Sequence, residues 1–217
     1  IAYQTAYLKS NYPMEFYCAL MNCDINNFDK LSIYCREIKK LGFEIIQPDI
    51  NVSDTNFVVN YDSNKKPLGI KFGLGAVKNI GEVSIQELVN ERKENGEFKN
   101  LCDLLKRVSN QALNKKVLEA LVFSNSLKSI YDNQKVLFDN LEKIIHFNSN
   151  FHKNFNENQS NFFPEYNDFE ISQVTKNHHK WNINEKLEKE IEAFGFYLSD
   201  HPTSIYKKVN LSSRVKN

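Results

Sequence analysis

The chain has 217 residues, 41% of them hydrophobic, and its 28 basic and 27 acidic side chains give a formal net charge of +1. Such a balance excludes a chain-wide basic surface, so any contact with nucleic acid must be local. The longest apolar runs are far shorter than the roughly 18 residues that span a bilayer, and no signal peptide is recognisable. We therefore expect a cytoplasmic protein without a membrane partner, whose four cysteines, lacking a CxxC pair, are free thiols.

Periodic apolar residues predict three helices at the start of the chain, over 1–11, 14–23 and 27–41. Pro13 forces the residue before it out of the helical region and so ends the first helix, and Gly42 is placed to end the third. The first residue enters this pattern without a preceding cap or turn residue. We therefore expect the chain to be cut from a longer polypeptide.

The spacing of the apolar residues is no longer helical after Gly42. Residues 57–61 and 68–72 are rich in β-prone side chains, and the polar residues 62–65 between them have the composition of a turn, which predicts a β-hairpin. Helical pieces broken by Gly and Asn follow, with a further amphipathic helix over 134–147. The predicted fold class is therefore mainly α with a small β-hairpin.

The segment 148–180 is polar and has no sustained period, so a flexible linker is predicted there. As a flexible coil it would span roughly 30 Å and leave the helix predicted over 183–198 free to move. The expected organisation, in chain order, is a helical segment (1–46), a β-hairpin connector (47–72), a tandem helix-hairpin-helix module (73–147), the linker (148–180) and a C-terminal helical region (181–217).

Residues 73–81, the first hairpin, read Gly-Leu-Gly-Ala-Val-Lys-Asn-Ile-Gly and lead into a helical pattern. Short helices joined by such a turn are typical of a helix-hairpin-helix, in which glycine lets the backbone approach a phosphate and the free N–H groups of the second helix bind it. The alternative is a turn between packed helices without a ligand, while the spacing excludes a dinucleotide fingerprint. The candidate DNA-binding residues are Gly73, Gly75, Lys78, Asn79, Ile80 and Gly81.

A related unit is predicted from helices over 100–107 and 114–123, followed by a turn at residues 124–127, the second hairpin. Two such units side by side would form a tandem DNA-binding module. The stretch is also locally basic, although a run of charges is more often only a solvated face. Its cations are Lys106, Arg107, Lys115, Lys116 and Lys128.

Residues 159–163, Gln-Ser-Asn-Phe-Phe, place two adjacent phenylalanines inside the predicted linker. A polar linker has no folding reason to expose them, so they suit a docking peptide that anchors in an apolar pocket of a partner. The alternative is incidental aromatic content, because other aromatic residues lie nearby. The candidate partner-binding residues are Gln159, Asn161, Phe162 and Phe163.

Catalytic chemistry is not predicted for this chain. It contains no Asp-x-Asp pair of the kind that holds two Mg²⁺ ions, and neither a Ser-His-Asp nor a Cys-His arrangement can be argued. We therefore expect no catalytic residue, no metal site and no cofactor in this segment.

Four stretches, in matching order and spacing, resemble the family of bacterial DNA polymerase III α subunits. They are residues 2–16, 48–51, 73–81 and 190–202. The resemblance implies that 1–46 is the C-terminal part of the fingers and that the C-terminal helical region leads towards an OB domain outside this chain. It also implies that residues 159–163 bind the sliding clamp.

The implied parent is a replicative DNA-directed DNA polymerase, a nucleotidyltransferase that uses Mg²⁺ and works with other replicase subunits. This chain would grip the backbone of duplex DNA and dock on the clamp. The alternative is a stand-alone, non-catalytic adaptor that binds DNA and the clamp. One departure concerns both hairpins: Asn79 and Asn125 stand where glycine is expected, and asparagine tolerates the left-handed region better than most residues.

Overall fold

The computed structural model describes residues 1–156 and 180–199, and this part of the chain is mainly helical with one small sheet, which confirms the predicted fold class. None of the helices in these two ranges is long and apolar enough to cross a membrane. The helices are α1 (Ala2–Asn11), α2 (Pro13–Cys23), α3 (Phe28–Lys40), α4 (Glu82–Asn95), α5 (Leu101–Arg107), α6 (Lys115–Phe123), α7 (Gln134–Asp139), α8 (Leu141–Asn156) and α9 (Ile183–Phe194). The strands are β1 (Glu44–Ile46), β2 (Val58–Tyr61) and β3 (Pro67–Lys71).

The three helices predicted at the start of the chain are present. The side chain of Asn27 caps α3 by accepting the N–H of Lys30 at 3.1 Å, and Gly42 follows the helix with a φ of +84°. That conformation is one that glycine adopts without steric cost, which explains why the helix stops there. The apolar stripe of α3 is buried as expected, whereas α1 buries none of its own residues within the described part of the chain.

The predicted β-hairpin is present, but it belongs to a three-stranded sheet of order β1-β3-β2. Strand β2 pairs antiparallel with β3, and β1 pairs parallel with the other edge of β3, with Ile45 opposite Ile70. Gly69 is required at the β1 edge, because a Cβ there would overlap the backbone carbonyl of Glu44. The sequence did not reveal β1, since a parallel partner so short leaves no turn signal.

The last helix, α9, packs into the core. The Phe72 ring makes edge contacts with Phe57 at 4.8 Å and with Phe194 at 5.0 Å between ring centroids, and all three side chains are almost fully buried. These contacts join the sheet to α9. The expectation that this helix moves freely is therefore wrong, and the helix also ends earlier than predicted, at Phe194, before the left-handed Gly195.

The predicted linker also begins too early. Helix α8 extends from Leu141 to Asn156, so the residues from 148 to 156 are helical. Asn148 is completely buried, and its side-chain amide donates to the side-chain oxygen of Asn110 at 3.4 Å. A polar residue at this position concealed the continuation of the helix, because it interrupts the apolar pattern at a point where tertiary contacts bury it.

Candidate nucleic-acid interface

The first hairpin has the backbone of a helix-hairpin-helix turn. A single 3₁₀ turn over Leu74–Ala76 leads through Asn79, whose φ is +66°, to Gly81 and then into α4. The first helix of the predicted pair is thus only one 3₁₀ turn long. The left-handed φ confirms that Asn79 takes the conformation for which glycine was expected, and asparagine is among the few other residues that adopt it readily.

Gly73 and Gly75 pack against the protein interior. A Cβ at Gly73 would lie 2.6 Å from the carbonyl oxygen of Thr55, and one at Gly75 would lie 2.7 Å from the same atom. The N–H of Gly75 also donates to this oxygen at 2.9 Å. Both glycines therefore permit close packing of the hairpin on the segment before β2, which is the packing role that the sequence left open.

Gly81 has different surroundings. It is the N-cap residue of α4 and is exposed, and no described atom would lie within 4 Å of a Cβ added to it. Among the residues that the structure describes, no side chain caps the first turn of α4. The N–H groups of Glu82, Val83 and Ser84 therefore have no intrahelical acceptor. Glu82 and Val83 are exposed whereas Ser84 is buried, and the positive end of the helix dipole adds to the attraction of this helix start for an anion.

Most of the other helices begin differently. An asparagine side chain caps each of five helices by accepting a backbone N–H from the first turn. These caps are Asn27 of α3, Asn100 of α5, Asn114 of α6, Asn133 of α7 and Asn182 of α9. The start of α4 has glycine in the position that these five helices give to a capping side chain.

Lys78 points into the fold. Its N–H donates to the carbonyl oxygen of Ala193 at 2.8 Å, and its ammonium lies 4.6 Å from the centre of the Phe28 ring. Gly195 allows this arrangement, because a Cβ there would be 2.8 Å from the same ammonium. Lys78 therefore connects the first hairpin to α3 and to the end of α9, and its charge is only partly available to a ligand.

Lys116 is a cation near the first hairpin that the sequence did not assign to it. It lies on α6 and is exposed, and it lines a pocket of about 220 Å³ between α6, α9 and the hairpin. The pocket also contains acidic side chains, so its charge is mixed. Its lining includes Lys78, Asn79, Lys116, Glu119, Phe123 and Glu192. Linear sequence cannot reveal this proximity, because Lys116 belongs to the other helix-hairpin unit.

The second hairpin has the same left-handed asparagine, with a φ of +60° at Asn125. Its other residues are enclosed: Ser124, Ser126 and Leu127 are each at most 2% exposed. Asp49, from the segment before β2, accepts the N–H of Ser129 at 3.2 Å. The donors that follow this hairpin are therefore partly satisfied from within the chain.

The basic stretch divides into internal and external cations. Arg107 donates to the side chains of Glu91 at 2.9 Å and Asp103 at 3.1 Å, and its guanidinium lies 4.5 Å from the centre of the Phe98 ring. It is thus a structural residue that joins α4 to α5. Lys115 pairs with Glu142 at 3.5 Å, whereas Lys106, Lys116 and Lys128 are exposed.

The four predicted clamp-binding residues, Gln159, Asn161, Phe162 and Phe163, lie outside the described residues. The described residues resume at Lys180, whose ammonium pairs with Asp132 at 2.9 Å and lowers the pKa of that carboxyl by hydrogen bonding to its charged form. The neighbouring Trp181 is 8% exposed and packs between Phe123 and Phe138. The segment that begins at Lys180 is therefore attached to the second helix-hairpin unit.

These hairpins and their supporting helices correspond to a known motif. A family model for the helix-hairpin-helix motif matches residues 42–137. The match begins before the module predicted over 73–147 and includes the sheet; the predicted division of the chain into domains remains a prediction. The fold and the site thus define a chain that contains a helix-hairpin-helix.

Curated relatives identify the family. The chain is 38% identical over 211 residues to the DNA polymerase III subunit alpha of Borreliella burgdorferi, which covers 96% of this chain and 18% of that protein. The subunit alpha of Buchnera aphidicola is 36% identical over 211 residues, with the same coverage. The chain belongs to the DNA polymerase III α-subunit family, which confirms the resemblance seen in the sequence. It spans about a fifth of the length of the curated relatives it matches.

Within residues 1–156 and 180–199, no group of three or more His, Cys, Asp or Glu side chains is arranged to hold a metal ion. The Mg²⁺ that the family resemblance implies therefore has no candidate ligands in this part of the chain.

Proposed function

We propose that this chain is the part of a replicative DNA-directed DNA polymerase that holds duplex DNA, and that the first hairpin binds a backbone phosphate. The observation that carries the proposal is the open, uncapped start of α4 within a matched helix-hairpin-helix. Three N–H groups and the positive end of a helix dipole there suit a phosphate oxygen. Contact with phosphate holds the duplex without reading its sequence.

The side chains around the first hairpin support this role in different ways. Asn79 supplies the left-handed turn that aims the backbone, and Gly81 leaves the space that a phosphate needs. Glu82 opposes an anion through its charge, but its carboxylate accepts a hydrogen bond from Gln86 at 3.1 Å, one turn further along α4. The single site is therefore weak, and we expect tight binding only when further contacts act together.

A charge at Gly81 tests the phosphate site. Gly81→Glu puts a carboxylate into the space proposed for phosphate, and we expect duplex affinity to fall about tenfold, the equivalent of about 1.4 kcal/mol. The plot of log affinity against log salt should become shallower by roughly one, because one phosphate contact is lost. Fluorescence anisotropy with a labelled duplex, over a series of salt concentrations, measures both quantities.

Ser63→Glu is the matched control, since it adds the same charge at an exposed turn between β2 and β3. The two variants should differ clearly in affinity and in salt dependence. If both lower the affinity equally, or if neither changes it, the first hairpin does not bind phosphate. Thermal unfolding of each variant checks that the fold is retained.

We further propose that residues 159–163 dock on the bacterial sliding clamp. Two observations support this proposal. Gln159 is followed, after two other residues, by the adjacent Phe162 and Phe163, and the chain belongs to the DNA polymerase III α-subunit family. Each buried Phe contributes roughly 1.5–3 kcal/mol before ordering costs are subtracted, so binding by the peptide alone should be weak, with a Kd near 1 μM. Shared DNA would raise the effective affinity.

The double variant Phe162→Ala with Phe163→Ala should lose clamp binding in surface plasmon resonance, whereas Tyr166→Ala with Phe169→Ala should keep it. Equal binding by both variants would exclude this peptide as the anchor.

This proposal assigns nucleotidyl transfer to the rest of a cytoplasmic polymerase, together with the Mg²⁺ that the reaction needs and the contacts with other replicase subunits. Primer extension by this chain alone, with Mg²⁺ and nucleotides supplied, should be undetectable.

A further inference from the structure

The segment 47–51 is attached to the second hairpin by backbone and side-chain contacts. The N–H of Ile50 donates to the carbonyl oxygen of Ser126 at 2.9 Å, and the side-chain amide of Asn125 donates to Gln47 at 3.4 Å. Ile50 is fully buried, so the segment is fixed in place.

The two hairpins can be aligned on their left-handed asparagines, Asn79 and Asn125. Gly81 then corresponds to Leu127, and Val83, in the uncapped first turn of α4, corresponds to Ser129. Val83 is 75% exposed, and its N–H is one of the three proposed phosphate donors. The equivalent N–H of the second hairpin therefore belongs to Ser129.

The carboxylate of Asp49 already occupies that position. One of its oxygens accepts the N–H of Ser129 at 3.2 Å, and the other accepts the Ser129 hydroxyl at 2.8 Å and the N–H of Asn51 at 2.8 Å. The side-chain amide of Asn51 donates to the Ser129 hydroxyl at 3.2 Å and to the carbonyl oxygen of Phe98 at 2.9 Å. An acidic group thus binds the backbone N–H that aligns with that of Val83 in the first hairpin.

We propose that Asp49 is an internal substitute for phosphate, which closes the second hairpin to DNA and leaves the first hairpin as the phosphate site of the pair. A carboxylate and a phosphate have the same sign of charge and accept the same hydrogen bonds, so they compete for the same donors. The carboxylate is covalently tethered and needs no association step, which favours it over a phosphate in solution. Its negative charge also repels the DNA backbone at short range.

Amide chemical shifts of the wild-type chain test whether DNA binds the first hairpin and not the second. The inference rests on the proposed function, since it presumes that the first hairpin binds DNA. On titration with a short duplex, the amides of residues 82–84 should shift and those of residues 128–130 should not. Shifts of similar size at both hairpins would overturn the closed second hairpin. No shift at either hairpin would overturn the proposed phosphate site itself.

Variants at Asp49 test whether its carboxylate is what closes the second hairpin to DNA. Asp49→Ala should raise duplex affinity about tenfold at low salt and steepen the salt dependence by roughly one, because a second phosphate contact becomes available. Asp49→Asn should act in the same direction while keeping an acceptor of the same shape, so it serves where the alanine variant is too unstable. In both variants the amides of residues 128–130 should begin to respond to DNA.

Asp62→Ala is the matched control. Asp62 also accepts two backbone N–H groups in a turn, from Asn64 and Lys66 at 2.8 Å each, so the variant removes the same charge and the same kind of hydrogen bond. It should raise affinity less and leave the salt dependence unchanged. If the Asp49 variants behave like Asp62→Ala, the gain reflects net charge alone and Asp49 is not a phosphate substitute.

Discussion

The two hairpins share a left-handed asparagine and have very different surroundings. Asn79 and Asn125 adopt φ values of +66° and +60°, and each begins the turn of its unit. After Asn79 the chain passes through the exposed Gly81 into the uncapped helix α4. After Asn125 it passes through the buried Leu127 to donors that Asp49 already engages. A common local conformation therefore does not give the two turns the same availability to a ligand.

The difference lies in what packs against each hairpin. The segment 47–51 covers the second hairpin and supplies it with an internal carboxylate. The first hairpin is supported instead by the segment before β2 and by the contact of Lys78 with Ala193 at the end of α9. A tandem motif can thus use one hairpin as a ligand site and the other as part of its scaffold.

The largest expected effect is a difference in stability between substitutions at Leu127 and at Gly81, which occupy corresponding positions after the two asparagines. Leu127→Ala removes a side chain that is 2% exposed, and it should lower the free energy of unfolding by about 2–5 kcal/mol. Gly81→Ala adds a methyl group in open space and should cost about 1 kcal/mol or less. Urea denaturation measures both. Equal losses would mean that the two positions are not as differently packed as their exposure indicates.

The left-handed asparagines should show intermediate effects. Asn79→Ala and Asn125→Ala place a residue without a local polar side chain at positive φ, and each should cost about 1–2 kcal/mol of stability. Asn125→Ala should be the more costly, because it also removes the contact with Gln47. Asn79→Gly and Asn125→Gly are the controls. They relieve the steric cost, so stability in thermal or urea unfolding should be retained within about 1 kcal/mol.

The smallest expected effect is that of Gly81→Asn, which gives α4 the same kind of capping residue as the asparagine-capped helices. Gly81 has φ −75° and ψ 152°, close to the values at the capping residues Asn114 and Asn182, so Gly81→Asn fits the backbone. Stability should rise by a few tenths of a kcal/mol, while duplex affinity falls because the side chain competes with phosphate. Calorimetry measures the change in stability, and fluorescence anisotropy measures the change in duplex affinity. Unchanged affinity in the more stable variant would argue against phosphate at this helix start.

Much of the fold could be predicted because it depends on neighbours in sequence. The apolar stripe of α3 and its end at Gly42 were read correctly, as were the asparagines at the two turns. Strand β1 was missed because its partner β3 lies beyond the intervening strand β2. The helical continuation past residue 148 was missed because a buried polar residue broke the pattern.

The candidate site was only partly predictable for the same reason. Gly81 and Asn79 follow from backbone conformation, which local sequence controls. Gly73 and Gly75 were included as DNA-binding candidates, yet their missing Cβ atoms face Thr55. The direction of the Lys78 side chain depends on Phe28, which lies on a helix far away in sequence.

The sequence by itself determined the helical period, the places where glycine or asparagine allow a left-handed turn, and the family to which the chain belongs. These properties arise from steric preferences within a few residues and from the order of short motifs. The tertiary structure alone decided that the last helix joins the core and that the second hairpin is closed. Both depend on contacts such as that of Asp49 with Ser129, between residues that meet only after the chain has folded.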